Sequence, residues 1–169
     1  MNEVETPRTG VVQVKLTSGE IALVDAADAE RVLTRRWCPR RFGDRCYAVN
    51  RSNGKTIRLH RFILGLSQPE PYIDHINGNG LDNRRANLRF ATNSQNHQNA
   101  RKQRRPTTSQ FKGVTRFRKK WQAQIQRAGV NHYLGVFPSE LDAARAYDAA
   151  AIKHFGAFAR PNFPPRVQP

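Results

Sequence analysis

Residues 74–96 read DHINGNGLDNRRANLRFATNSQN, and the order of residue types in this stretch decides the fold around it. Taken in order it predicts a strand, a loop, a second strand and a helix. The loop is crowded with Asn and Gly, which suit turns because Asn bonds its own backbone and Gly accepts positive φ. Asn77, Asn79, Asn83 and Asn93 read as turn residues of this kind. Thr92 is placed to cap the helix, with Gln95 three residues on to complete a capping box. Successive side chains on a strand point to opposite faces, so Asp74 and His75 are given different tasks.

Those tasks follow from the side chains. Histidine, with an ordinary pKa near ~6.5, is the residue type best matched to proton transfer at neutral pH, which makes His75 the candidate general base. Asp74 is assigned to a metal. Asn96 falls about one turn into the helix, where its amide oxygen is the candidate second ligand. A carboxylate with an amide is an all-oxygen set, which suits Mg²⁺ or Mn²⁺ rather than zinc. Asn87, in the loop before the second strand, is placed to accept a bond from the other ring nitrogen of His75 and so fix its tautomer. His97 follows Asn96 and lies about 100° further round the helix, so a shifted register would exchange the two. His60 reads as a buried structural residue, and His132 and His154 as packing or surface residues.

Composition says what such a site would act on. The 169-residue chain has a net charge of +16, and from Asn83 to Ser139 it has 13 Lys or Arg and not one Asp or Glu. Charge this one-sided opposes compaction and is suited to a polyanion, which here means nucleic acid. Cys38 and Cys46 are too few for a disulfide framework and have no zinc spacing. The start, MNEVETPRTG, lacks the apolar core of a signal peptide, and no apolar run approaches membrane-spanning length. A soluble, intracellular protein without membrane or small-molecule cofactor is expected, with double-stranded DNA as partner.

Working outward, the first ten residues are polar and expected to fray. Val11–Leu16 and Ile21–Val24 read as strands and Ala27–Trp37 as a short helix. Cys46–Arg51 and Lys55–His60 flank Asn53-Gly54, a strong hairpin signal. Leu59–Leu66 is a short apolar helix, ended by Gly65 and the turn around Pro69 and Pro71. Beyond the central stretch, 101–110 (RKQRRPTTSQ) has no apolar residue and reads as a basic linker, whose Arg101, Lys102, Arg104 and Arg105 are candidate DNA contacts. Gly113–Arg118, Trp121–Arg127 and His132–Phe137 are three further strands. Ser139 then caps a helix that carries Leu141, Ala144, Tyr147, Ala151 and Phe155, with Asp142 in the capping-box position and Gly156 as the stop.

The central stretch, over roughly His60 to Asn99, resembles the HNH endonuclease family in its homing branch: Asp-His, then Asn after eleven intervening residues, then Asn after eight more, and Gly78-Asn79 in the turn. The resemblance implies a ββα-metal core in which His75 activates water, Asn87 orients it, and Asp74 with Asn96 holds the cation. The third motif position is Asn96 rather than histidine, as in some homing members. A second stretch, Phe111 to Pro164, resembles the APETALA2/ethylene-response DNA-binding domain. Its matches are Lys112-Gly113-Val114, Trp121 with Ala123 and Ile125, Leu134-Gly135, Phe137, the run Ala143–Asp148, and Asn162-Phe163-Pro164. By family position Lys112, Thr115, Arg116, Arg118, Lys120, Gln124, Gln126, Asn131 and Tyr133 are the candidate DNA contacts. The family's charged contacts on the second strand are glutamines here, so its base preference does not transfer. Phosphate contact alone and sequence readout both fit the basic sheet.

The expectation is an α+β chain: an HNH nuclease domain over 1–100, with a β-rich part at 10–66 and a ββα-metal core at 67–100, a linker at 101–110, and a small three-stranded antiparallel sheet with one helix at 111–164. The function expected is that of a site-directed homing-type endonuclease, bacterial or phage-encoded and cytoplasmic. It would act as a monomer on DNA, nicking it to leave 5′-phosphate and 3′-hydroxyl ends. The alternative is a transcriptional regulator whose HNH core does not cut.

Overall fold

The computed structural model describes residues 10–52, 54–67, 70–102 and 108–163. Expectations for the amino terminus before Gly10, and for Asn53, Pro69, Arg104, Arg105 and Pro164, fall outside the described residues. The architecture is mixed, with small antiparallel sheets and few helices, in line with an α+β chain. It divides into two compact units, Met1–Thr92 and Asn93–Pro169.

In the first unit β1 (Val11–Lys15) pairs antiparallel with β2 (Ile21–Asp25), Val11 opposite Asp25 and Lys15 opposite Ile21. The two-residue period buries Val14 and Leu16 from one arm and Ala22 and Val24 from the other. The chain runs straight into α1 (Ala26–Leu33), whose Ala29 and Val32 pack on the same core. This helix ends four residues earlier than expected, because Trp37 leaves it to enter the core. The buried indole donates to the Val32 carbonyl at 2.9 Å, an acceptor it shares with the Arg35 N–H at the helix end.

β3 (Cys38–Phe42), β4 (Arg45–Ser52) and β5 (Lys55–Arg58) form a second antiparallel sheet with β4 in the middle. The first of these was not anticipated. Its sequence CPRRF has no apolar alternation and contains Pro39, which is tolerated because the strand lies at the edge of the sheet. α2 (Leu59–Ile63) then buries Leu59 and Ile63. Its end is a Schellman motif: Gly65 N–H donates to the Phe62 carbonyl and Leu66 N–H to the Arg61 carbonyl, with Gly65 at φ +69°.

The last two strands of this unit are β6 (Tyr72–His75) and β7 (Leu88–Ala91), with Asp74 opposite Arg89 and His75 opposite Leu88. The loop between them is fastened to the amino-terminal elements. Leu23 N–H donates to Leu81 O, and Asn83 N–H to Leu23 O. Arg85 forks onto buried Asp28 through Nε and Nη2, both at 2.8 Å, while its backbone N–H donates to Asp25.

The second unit opens with α3 (Asn93–Gln98). β8 (Val114–Phe117), β9 (Lys120–Arg127) and β10 (Val130–Phe137) follow, in the spatial order β10-β9-β8. α4 (Glu140–Phe155) is capped by Ser139 Oγ, which accepts from Asp142 N–H, and Gly156 ends it at φ +51°. Its small Ala143, Ala144 and Ala151 let it approach Val114, Ala123 and Ile125 closely. Gly113 is obligatory at the entry to β8: with φ +74°, any Cβ there would also drive into the Tyr147 ring. Among the described residues, no helix is long and apolar enough to cross a membrane.

Candidate active site and candidate DNA-binding sheet

β6 ends on the two residues singled out by sequence, and the alternation of the strand separates them as expected. Asp74 is buried and receives both Nε (2.8 Å) and Nη2 (2.7 Å) of Arg89 on its Oδ2 atom. His75, 5% exposed, lies among aromatic rings. The His60 ring stands edge-on to it with centroids 5.0 Å apart, and the Tyr47 ring is 5.8 Å from His75 and 5.9 Å from His60. Gly80 lets the loop lie against this wall, since a Cβ there would meet the Cys46 carbonyl and approach Tyr47 Cδ1 to 2.6 Å.

Burial depresses the pKa of the His75 imidazole, against the opposing pull of its bond to Asn83 and the negative charges of Asp74 and Asp82. Burial likewise pushes His60 down to about 2, with His75, Arg58 and Arg61 adding to the effect. Both rings are therefore neutral at neutral pH. For His75 that is the proton-accepting form.

The loop holding this arrangement is a chain of side-chain turns. Asn77 Oδ1 accepts from Asn79 N–H and Asn79 Oδ1 from Leu81 N–H, as expected for turn asparagines. Asp82 accepts Arg84 through Nε and Nη2 at 2.7 Å each, and these bonds draw its pKa down. Asn87 ties the loop shut. Its Oδ1 accepts from Asn77 N–H, and its Nδ2 donates to Asn77 Oδ1 and to the Asp82 carbonyl. The ring-orienting bond expected from Asn87 comes from a different residue: His75 Nε2 meets Asn83 Oδ1 at 3.4 Å. Asn83 is fully buried, although its type and surroundings in sequence mark only a turn.

Asp74, His75 and Asn87 thus stand in the first unit. Asn96 belongs to the second, half-buried on α3, and His97 beside it is exposed. Among the described residues, no three His, Cys, Asp or Glu side chains cluster as a metal site would require. Asp74 offers a carboxylate and Asn96 an amide oxygen, hard donor types that suit Mg²⁺ or Mn²⁺ and not zinc.

In the second unit, strand register sorts the candidate DNA contacts. Ala123 and Ile125 are buried towards α4, so Lys120, Gln122, Gln124 and Gln126 take the other face of β9. Directly opposed residues share a face: Thr115 lies opposite Gln122, Tyr133 opposite Gln124, and Asn131 opposite Gln126. Gln122 therefore belongs with the candidates, and the same alternation in the sequence would have found it. Tyr133 is 65% exposed on this face. Arg116 pairs with Trp121, on the helix side of the sheet, and its guanidinium lies 4.9 Å from the Trp121 ring centre. Arg118 sits in the β8–β9 turn at φ +55°. Lys112 turns inward: its Nζ donates to the carbonyls of Gln98 (2.7 Å) and Ala100 (2.8 Å). Lys102 does likewise with Phe111 O at 2.9 Å, and Arg101 is exposed.

Residues 68–98 match the family model described as HNH endonuclease. A protein of Acanthamoeba polyphaga mimivirus, named as an uncharacterized HNH endonuclease, is 37% identical over 122 residues, covering 69% of this chain and 62% of the relative. Shorter matches join it to an AP2-like ethylene-responsive transcription factor of Arabidopsis thaliana, 49% identical over 32% of this chain and 10% of the relative. APETALA2-like protein 2 of Oryza sativa subsp. japonica is 46% identical over 35% of this chain and 14% of the relative. The chain spans about three-fifths of the viral relative and a small part of the plant ones. The similarity to HNH endonucleases is thus carried by a segment that includes Asp74, His75, Asn87 and Asn96.

Proposed function

We propose that this chain is a metal-dependent DNA endonuclease of the HNH homing type, with an APETALA2-like sheet that places it on duplex DNA. The observation that carries the reading is a buried, neutral His75 held beside Asp74 at the end of β6, inside the segment that matches HNH endonucleases. His75 accepts a proton from the water that attacks phosphorus, the P–O3′ bond breaks, the departing 3′ oxygen takes a proton from solvent, and the ends are 5′-phosphate and 3′-hydroxyl. A bound Mg²⁺ or Mn²⁺ supplies positive charge for the phosphate and the departing 3′ oxygen. Asp74 is the carboxylate ligand, and Asn96 enters as the amide ligand on motif spacing alone. Asn87 acts by closing the loop that follows His75. One such site cuts one strand, so a monomer nicks.

On the second unit, Thr115, Lys120, Gln122, Gln124, Gln126, Asn131 and Tyr133 form the DNA face. Arg101 and the basic residues around it add phosphate contacts. Lys112 is assigned to holding the chain together. The pairing of Asp74 with Arg89 favours one second reading, a DNA-binding regulator in which that carboxylate is structural. Incubation with supercoiled plasmid decides between them. Open circles that need Mg²⁺ and vanish in His75→Ala support the nuclease; binding without cutting, across several divalent metals and varied plasmid sequences, supports the regulator.

A further inference from the structure

The wall around His75 includes one polar contact that no motif position accounts for. Asn83 is completely buried, and burying an amide is unfavourable unless its groups find partners. It is held on three sides. Its backbone N–H donates to Leu23 O on β2 at 2.7 Å, its Nδ2 donates to Leu81 O at 3.0 Å, and its Oδ1 faces His75 Nε2 at 3.4 Å. The contact with Leu81 settles which way the amide points. Turning it over would set its oxygen against the Leu81 carbonyl and lose that bond. The atom presented to the imidazole is therefore an acceptor, and a neutral ring meets an acceptor well only through N–H. The proton of neutral His75 then sits on Nε2, and Nδ1 carries the basic lone pair. At 3.4 Å the bond is long, as such bonds often are before substrate tightens the site.

We infer that Asn83 is a positioning residue that fixes His75 in the Nε2–H tautomer and so makes Nδ1 the atom that takes the proton from water. This rests on the reading of His75 as the base. It gives Asn83 the task that motif spacing assigns to Asn87, and leaves Asn87 to hold the loop.

Long-range ¹H–¹⁵N correlation spectra of the full chain, at a pH where histidine is neutral, read the tautomer directly, with His75→Ala identifying the signal. The expected result is a proton on Nε2 in the wild type. Asn83→Leu, which removes the acceptor at similar volume, is expected to slow single-turnover plasmid nicking about 10–100-fold, the usual loss when an outer partner of a site is removed. DNA affinity in a gel shift should stay unchanged. Asn83→Asp, which keeps an acceptor oxygen towards the ring but loses the bond to the Leu81 carbonyl, should recover part of the rate. A wild-type ring protonated on Nδ1 overturns the inference, as does a folded Asn83→Leu protein that cuts at the wild-type rate. If thermal melting shows that neither variant folds, the wild-type spectrum decides alone. A wild type that binds DNA and never cuts would instead defeat the nuclease reading, and the tautomer would still be read.

Discussion

His75 and His60 share a wall but have different environments, and that difference separates their roles. His75 has a hydrogen-bond partner in Asn83 and two carboxylates nearby, Asp74 and Asp82, that favour its charged form. His60 has cationic neighbours, and its Nδ1 has no hydrogen-bond partner among the described residues. The first environment suits a ring that gains a proton during turnover and the second a ring that never does. His75→Ala should therefore abolish nicking while a gel shift shows DNA binding intact, and retained nicking would remove His75 from its role. Close packing has its own test at Gly80, where a methyl group would press on the Cys46 backbone and the Tyr47 ring. Gly80→Ala should destabilise the fold by about 1–3 kcal/mol in urea unfolding, the usual range for forcing a methyl into a filled site. Nicking should fall with it, since Tyr47 borders His75.

At the scale of elements, the loop from Ile76 to Asn87 is positioned by what it touches elsewhere. Arg85 clamps it to Asp25 and Asp28 at the start of α1. Arg85→Ala should cost about 1–2 kcal/mol in thermal unfolding, less than for a fully buried pair, because the Arg85 side chain is half exposed and Arg31 also reaches Asp28. The β9 face is tested by Gln124→Ala with Gln126→Ala, which should weaken duplex binding about tenfold or more if the amides read bases. The same change should leave metal-dependent thermal stabilisation untouched, and unchanged DNA affinity would mean that the sheet docks otherwise. These elements also mark what was legible in the sequence. Hairpins, caps and the β6–loop–β7 order could be read because alternation and turn chemistry act over a few residues. β3 was hidden because its pairing is dictated by β4 and not by its own CPRRF pattern. Asn83 was hidden because its burial comes from Leu23, sixty residues away. Lys112 looked like a DNA contact, but the carbonyls it binds, twelve and fourteen residues back, leave no local signal.

Charge and buried histidine govern the molecule as a whole in opposite ways. The net charge of +16 makes DNA affinity salt-dependent, each neutralised phosphate adding about 0.9 to the slope of log K against log salt. Stability, in contrast, depends on two rings that stay neutral when folded. An unfolded histidine takes up a proton near pH 6.5, whereas His60 in the folded chain resists until about pH 2. Acid therefore favours the unfolded chain: the contribution of His60 is complete above pH 6.5 and is lost as pH falls from there towards 2. Linkage sets the slope at about 1.4 kcal/mol per pH unit for each such ring, and His75 adds in the same direction. Asp82, with its pKa drawn below 3.8 by Arg84, adds a further acid loss only at lower pH. The wild type should lose urea resistance steadily between pH 6.5 and 4.5. His60→Phe keeps a ring of similar shape without the titrating group, and should flatten that decline by about one proton's worth, ~1.4 kcal/mol per pH unit. An unchanged slope would mean that His60 gains its proton within the folded protein, and that the wall beside His75 admits charge.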